Sequence, residues 1–155
     1  MPFHSPVEPV AGFEPARPGS LDKEAFADLV TFRDFLDDRD QVMTGLYGAK
    51  LPRSSVRDTL VRAILIEFGS GRVRHVAFYQ RGLAYLGTSS AVRTEIALLH
   101  RLGLVVLAAQ GTDGRVTTVV PAQRLVDWYS ATMPKLYDEI RRFLALRASS
   151  SPRGE

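Results

Sequence analysis

The chain has 155 residues, the usual size of one compact domain, and its 45% hydrophobic and 24% charged content excludes wholesale disorder and fibrous repeats. It contains no cysteine, which excludes disulfides, thiolate metal sites and cysteine nucleophiles together. Formal charge is +3, from 20 Lys+Arg against 17 Asp+Glu, and it is unevenly spread: between Arg53 and Arg115 nine arginines face four acids, while the flanks are net acidic. A basic middle of this kind is the pattern of a nucleic-acid contact surface, although arginine-rich composition also follows from genomic base content alone. The longest apolar runs, such as Leu104 to Ala109, fall far short of the ~18 residues a membrane span needs. The N-terminus lacks the basic start and apolar block of a secretory signal, so the expected location is cytoplasmic.

Residues 1–20 hold five of the nine prolines, a density that prevents a helix or a central strand. This Pro-rich extended arm is either a disordered tail or a strap that lays Phe3, Val7, Val10 or Phe13 on a partner subunit or a neighbouring helix. The folded domain is expected over 21–147. Ser20 is the expected N-cap of a first helix over about 21–47, with Leu29, Phe32, Leu36, Met43 and Leu46 recurring at helical spacing. Asp34, Asp37, Asp38 and Asp40 on this helix have Arg33 and Arg39 beside them and no glycine-turned binding loop, so they read as a solvated face.

Pro52 and Ser54-Ser55 start a second helix, whose Val56, Leu60, Val61, Ile64, Leu65 and Phe68 form a wide apolar stripe before Gly69-Ser70-Gly71. Residues 74–86 read as a third helix with Gly82 inside it and Gly87 at its end. Thr88-Ser89-Ser90 then offers an N-cap for a fourth, which stops at Gly103. Val92, Ile96, Leu99 and Leu102 share one face of it; Ser89, Ser90, Arg93, Thr94, Ala97 and Arg101 share the other. Two β-prone runs, 104–109 and 116–120, joined through Gly111 to Arg115, predict a hairpin that Pro121 closes. From about 122 to 147 helical spacing returns, with Leu125, Trp128, Tyr129, Met133, Leu136, Tyr137, Ile140 and Phe143, and Pro134 is expected to kink the segment or restart it as a second helix. A frayed tail is expected over 148–155.

Helix, glycine turn, helix, hairpin is the layout of a winged helix-turn-helix. The expected fold is therefore mainly α with a small β-hairpin wing, the helix-turn-helix over about 74–103, the wing over about 104–120 and C-terminal helices over about 122–147. A recognition helix needs one apolar face to fix it to the domain and an opposite face of short hydroxyls and long cations, which meet phosphates and guanine edges of double-stranded DNA. The candidate DNA-binding residues on that face are Ser89, Ser90, Arg93, Thr94 and Arg101, with Arg74, and also Arg72 and Arg81, as phosphate contacts.

At these residues the sequence resembles the MarR family of bacterial transcription regulators. Ser89-Ser90-Ala91-Val92, Ile96, Leu99 and Gly103-Leu104-Val105 follow that family's recognition-helix pattern, and Asp113-Gly114-Arg115 with Val119 stands where its wing carries Asp-x-Arg and a strand. The resemblance covers 21–147 in element order and 88–120 in motif. It implies that Arg115 approaches the minor groove while Asp113 braces the loop. It also implies a homodimer built from the first and last helices, and a small aromatic effector bound between these dimerisation helices and the winged-helix body. Phe32, Trp128 and Tyr129, with Phe35, Tyr47 and Tyr137, are the candidate pocket residues; core or dimer contacts are the alternative for all of them. Phe78, Tyr79, Tyr85 and Gly82 depart from the family's smaller residues in the third helix. Leu98 and Leu102 make the fourth more apolar, so that either it packs more deeply or that face meets another protein.

His4, His75 and His100 are scattered, and no phosphate loop, nucleophile elbow or metal-ligand spacing occurs, so neither an enzyme nor a metal or cofactor is expected. His100 reads as a cap for the last carbonyls of the fourth helix. The expected function is a sequence-specific DNA-binding transcriptional regulator acting as a homodimer and responsive to a small ligand. The alternative is a winged-helix protein–protein interaction module without DNA binding.

Overall fold

The computed structural model describes residues 14–110 and 116–150. The first helix, α1 (Lys23–Tyr47), is capped by Asp22, whose Oδ2 accepts the amides of Glu24 and Ala25, each at 3.1 Å. The cap is thus Asp22 and not Ser20, because a carboxylate satisfies two orphan N–H groups at the positive end of the helix; the Ser20 amide instead bonds the Arg17 carbonyl in the preceding turn. The apolar stripe foreseen on α1 divides along its length. Met43 and Leu46 are buried, as is Tyr47, whereas Leu29, Phe32 and Leu36 are 61%, 45% and 42% exposed.

In α2 (Ser55–Gly69) the Ser54 hydroxyl accepts the Arg57 amide, and Leu60, Val61 and Ile64 are almost completely removed from solvent. The single helix expected over 74–86 is replaced by a two-residue strand, β1 (Arg74–His75), and a short helix, α3 (Val76–Gly82). The β1 backbone finds partners in the third strand, which a local helical pattern does not reveal, and beyond Gly82 the chain turns before the next helix. Tyr79 of α3 is buried in the core, where burial first, and then the nearby Glu67 charge, push its hydroxyl up to about 12.

The fourth helix, α4 (Ser89–Arg101), leads into β2 (Val105–Gln110) and β3 (Val116–Pro121), an antiparallel hairpin in which Leu107 pairs with Val119 and Val105 with Pro121. β1 adds to the other edge of β3 through Arg74 opposite Val119 and His75 opposite Thr118, so the sheet order is β1-β3-β2. The hairpin tip, 111–115, lies outside the described residues, and with it Asp113 and Arg115; so does 1–13, which holds Phe3, Val7, Val10 and Phe13.

The last helix, α5 (Gln123–Ser150), continues through Pro134 and three residues past the expected end at 147, so Pro134 does not restart the segment as a second helix. Pro134 is exposed, and its missing N–H removes only the bond to the Ser130 carbonyl. Buried Met133 and partly buried Leu136 and Tyr137 pack on the core to either side of it. α5 lies antiparallel to α1. Arg147 pairs with Glu24 at 2.6 Å and Asp28 at 2.8 Å, Phe143 meets Phe32 edge-on at 6.5 Å, and Tyr137 packs on Phe35 at 5.9 Å. Among the described residues no helix is long and apolar enough to cross a membrane.

Candidate nucleic-acid interface

The site is built outward from the turn before α4. At Gly87 an added Cβ would stand 3.2 Å from the Val56 side chain, so a glycine lets the turn sit close on α2. Thr88 then accepts the Ala91 amide at 3.1 Å and starts the helix. Val92, Ile96 and Leu99 are at most 2% exposed and fix α4 to the body, which leaves Ser89, Ser90, Arg93, Thr94, Ala97 and Arg101 on the solvent face as the spacing predicted. Leu98 and Leu102 are both half-buried, with Leu102 against the core, so α4 packs more deeply and these two do not form an apolar outer face.

Neighbouring groups hold the exposed face in place. The Thr94 hydroxyl donates to the Ser90 carbonyl at 2.9 Å and Gln80 of α3 donates to the Ser89 carbonyl at 3.1 Å, tying the two helices of the motif together. At the other end Gly103, at φ 71°, turns the chain into the hairpin in a conformation that favours glycine. The cation on the last carbonyls is Arg124 of α5, which donates to the Leu102 oxygen at 2.7 Å; His100, the expected cap, is exposed in the last turn without such a bond. Arg124 was missed because its partner lies 22 positions away in sequence.

The nine arginines of the basic middle do not act as one belt. Arg57 is buried against Glu95, Arg53 pairs with Asp40 at 2.7 Å, and Arg72 and Arg74 share Glu67 at 2.6 and 3.2 Å. Arg74 also lies over the Phe78 ring, 4.6 Å from its centroid, so this predicted phosphate contact is a strand residue held by two neighbours. Arg62 bonds the Thr59 hydroxyl. Among the described residues, Arg81, Arg93 and Arg101 carry exposed side chains outside any ion pair, and Arg93 and Arg101 sit on the outer face of α4. Between α3, α4 and the hairpin a groove of about 450 Å³ opens, lined by His75, Gln80, Arg93, Ala97, Leu107 and Thr117 among others.

Glu67 is the acid that neutralises the edge of this surface. The Arg72 hydrogen bond first, with that of Arg74 and both positive charges, outweighs desolvation and holds its carboxyl below the usual glutamate range. A carboxylate lowered in the folded state stabilises the fold above its unfolded pKa, and that contribution disappears as pH falls through the folded pKa. The tie between α2 and β1 should therefore persist through neutral pH and be lost only on the acid side. A carbon-detected NMR titration of Glu67 should give a midpoint below that of an unstructured glutamate; a midpoint at or above it would show that neither arginine pairs with it in solution.

Of the candidate pocket residues, Tyr129, Tyr137 and Phe35 lie together, while Phe32 and Trp128 stand apart from them. Phe32 is on the exposed side of α1 against Phe143, and Trp128 packs on the core. Tyr129 lines a cavity of about 20 Å³ with Arg39, Met43, Arg62, Met133 and Tyr137. Its hydroxyl lies 3.2 Å from that of Tyr137, and burial first, then this hydrogen bond, raise it to about 12. An adjoining polar groove of about 250 Å³ shares Arg39, Asp58 and Arg62 with that cavity, and the buried Arg39 Nε has no hydrogen-bond partner.

No protein-family model matches the chain, and no curated protein matches it. Among solved structures it is similar to the transcriptional regulator BldR from Sulfolobus solfataricus, at 16% identity over 86% of this chain and 89% of that one, with a TM-score of 0.42. It is also similar to the organohalide-sensing transcriptional regulator RdhR in its 2,4-dichlorophenol-bound form, at 14% identity over 94% of this chain and 80% of that one, with a TM-score of 0.45. The described elements themselves, α2, α3, α4 and the β2–β3 hairpin with α1 and α5 at its flanks, make this chain a mainly helical winged helix-turn-helix.

Proposed function

We propose that the protein is a sequence-specific double-stranded DNA-binding transcriptional regulator that acts as a homodimer and has no chemistry of its own. The observation that carries this reading is the outer face of α4, where Arg93 and Arg101 stand free among Ser89, Ser90 and Thr94 beside an open groove, while four other arginines of the basic middle are consumed in ion pairs. Ser89 and Ser90 at the positive end of α4 suit phosphate, and Arg93 suits the base edges. Arg115 and Asp113 keep the roles that the MarR resemblance implies, at the minor groove and in support of the wing, and Arg74 serves phosphate only through its exposed edge.

The homodimer is supported by the exposed apolar residues Phe26, Leu29, Phe32 and Leu36 of α1 and Leu144 and Leu146 of α5, all more than 40% exposed. Two recognition helices one turn of DNA apart, about 34 Å, require an operator that is an inverted repeat. A small aromatic effector in this reading enters beside Tyr129, between α1, α2 and α5, where the cavity of about 20 Å³ next to the unpartnered Arg39 Nε has to widen to admit it. Phe32 and Trp128 stay with dimer and core contacts in this reading.

Fluorescence anisotropy of a labelled random duplex tests the proposal. About six phosphate contacts per dimer should weaken binding roughly a thousandfold between ~50 and ~200 mM salt, through counterion release. The Arg101→Ala/Arg115→Ala double variant, which removes two such cations per protomer, should lose most of that binding. Absence of binding even at low salt would overturn the proposal in favour of a protein-interaction module.

A further inference from the structure

Arg57 is the charged side chain buried in the core of the described residues, only 4% exposed. It joins three parts of the fold. Its Nε donates to Glu95 Oε2 at 2.8 Å and its Nη2 to Glu95 Oε1 at 3.4 Å, so a forked contact runs from α2 to the middle of α4. Its Nη1 donates to the Pro52 carbonyl at 2.9 Å, and the guanidinium lies 5.2 Å from the Tyr47 ring at the end of α1. Tyr47 is held in turn by donating to Asp58 Oδ1 at 3.0 Å.

A buried ion pair is a weak source of stability, because desolvation offsets most of the attraction and apolar residues of similar volume do as well. What the fork adds is direction. The contacts of Val92, Ile96 and Leu99 hold α4 against the body but are non-directional and tolerate rotation of the helix about its axis. A rotation of about 20° moves a side-chain base by about 1 Å and a side-chain end, about 5–6 Å or more from the helix axis, by about 2 Å. That is enough to undo a paired hydrogen bond between arginine and a base edge. Glu95 lies two positions from Arg93 on the same helix, so whatever sets the rotation of Glu95 sets that of Arg93.

We propose that the Arg57–Glu95 pair is a positioning device that fixes the rotational setting of α4, and thereby governs discrimination between DNA sequences more than affinity or folding. This rests on the DNA-binding reading above. Arg57 and Glu95 are positioning residues and touch no DNA; the guanidinium references α4 to α1 and α2 together.

The experiment compares the wild type with Arg57→Met/Glu95→Leu, which removes both charges while filling their space, and with Arg57→Lys, which keeps the charge without the fork. Three quantities are read: the urea midpoint, amide hydrogen exchange along the chain, and the binding ratio of a duplex selected by the wild type from a random library over its scrambled sequence. The double variant should keep or raise the midpoint and bind the scrambled duplex as the wild type does. Its α4 amides should exchange about tenfold faster while those of α2 are unchanged. The selected-over-scrambled ratio should fall about tenfold, and lysine should not restore it.

A folded double variant with unchanged α4 exchange, or with an unchanged ratio, would overturn the proposal. So would faster exchange spread evenly over every helix, since the pair would then act only on global stability. If the wild type binds neither duplex, the DNA-binding reading fails, and α4 exchange alone still decides whether the pair positions this helix.

Discussion

Leu99→Ala should lower the free energy of unfolding by about 2–5 kcal/mol, seen as a lower urea midpoint at an unchanged slope. Leu99 is fully buried in the core, on the helix that packs against α2 and β2. Truncation removes the transfer free energy of the lost carbons and leaves a cavity that the surrounding elements close only in part. Losses of this size are a large fraction of the total stability of a domain, about 5–15 kcal/mol. The half-buried neighbour Leu98 provides the control, since the same truncation there empties less space and should cost visibly less. A loss below about 1 kcal/mol at Leu99 would mean that α4 is not docked as described.

Arg93→Ala should reduce the preference for a selected duplex over a scrambled one by about 10–100-fold per half-site, the 1–3 kcal/mol of a forked contact to a base. Binding to the scrambled duplex should change little. Arg93 stands on the outer face of α4 free of ion pairs and lines the groove together with Ala97, four positions further on. Arg101, about two turns further along at the end of the helix, should behave differently: its loss should weaken both duplexes alike and lower the salt slope by about one per half-site, as a phosphate contact does. Equal loss on both duplexes for Arg93→Ala would refute the division of labour between the two arginines. Both measurements depend on α4 being docked, so the stability of each variant is measured first.

Periodicity made the larger elements legible. The stripes Leu60-Val61-Ile64 and Val92-Ile96-Leu99 recur at helical spacing, bury one helix face each, and belong to the observed core. The hairpin was equally legible, because two β-prone runs with glycines between them pair by local contacts. The faces of α4 follow from the same pattern: once the apolar residues are buried, the hydroxyls and arginines three and four positions away must point out.

β1 was not legible. Two residues carry no periodicity, and Arg74 and His75 become a strand only because β3 leaves an edge with unpaired backbone groups. The continuation of α5 through Pro134, between residues packed on the core, likewise overrides a local penalty. The fate of the arginines lies further still from the sequence: Arg57 meets Glu95 across 38 positions and Arg147 meets Glu24 across 123. Local patterns thus determined the helix–turn–helix–hairpin order and which face of α4 is wet, since both rest on neighbours within a turn or two of backbone. Only the tertiary structure decided which cations are free to meet an anion, because an arginine is neutralised by whichever carboxylate the fold brings within hydrogen-bond reach, and that distance is not a property of sequence separation.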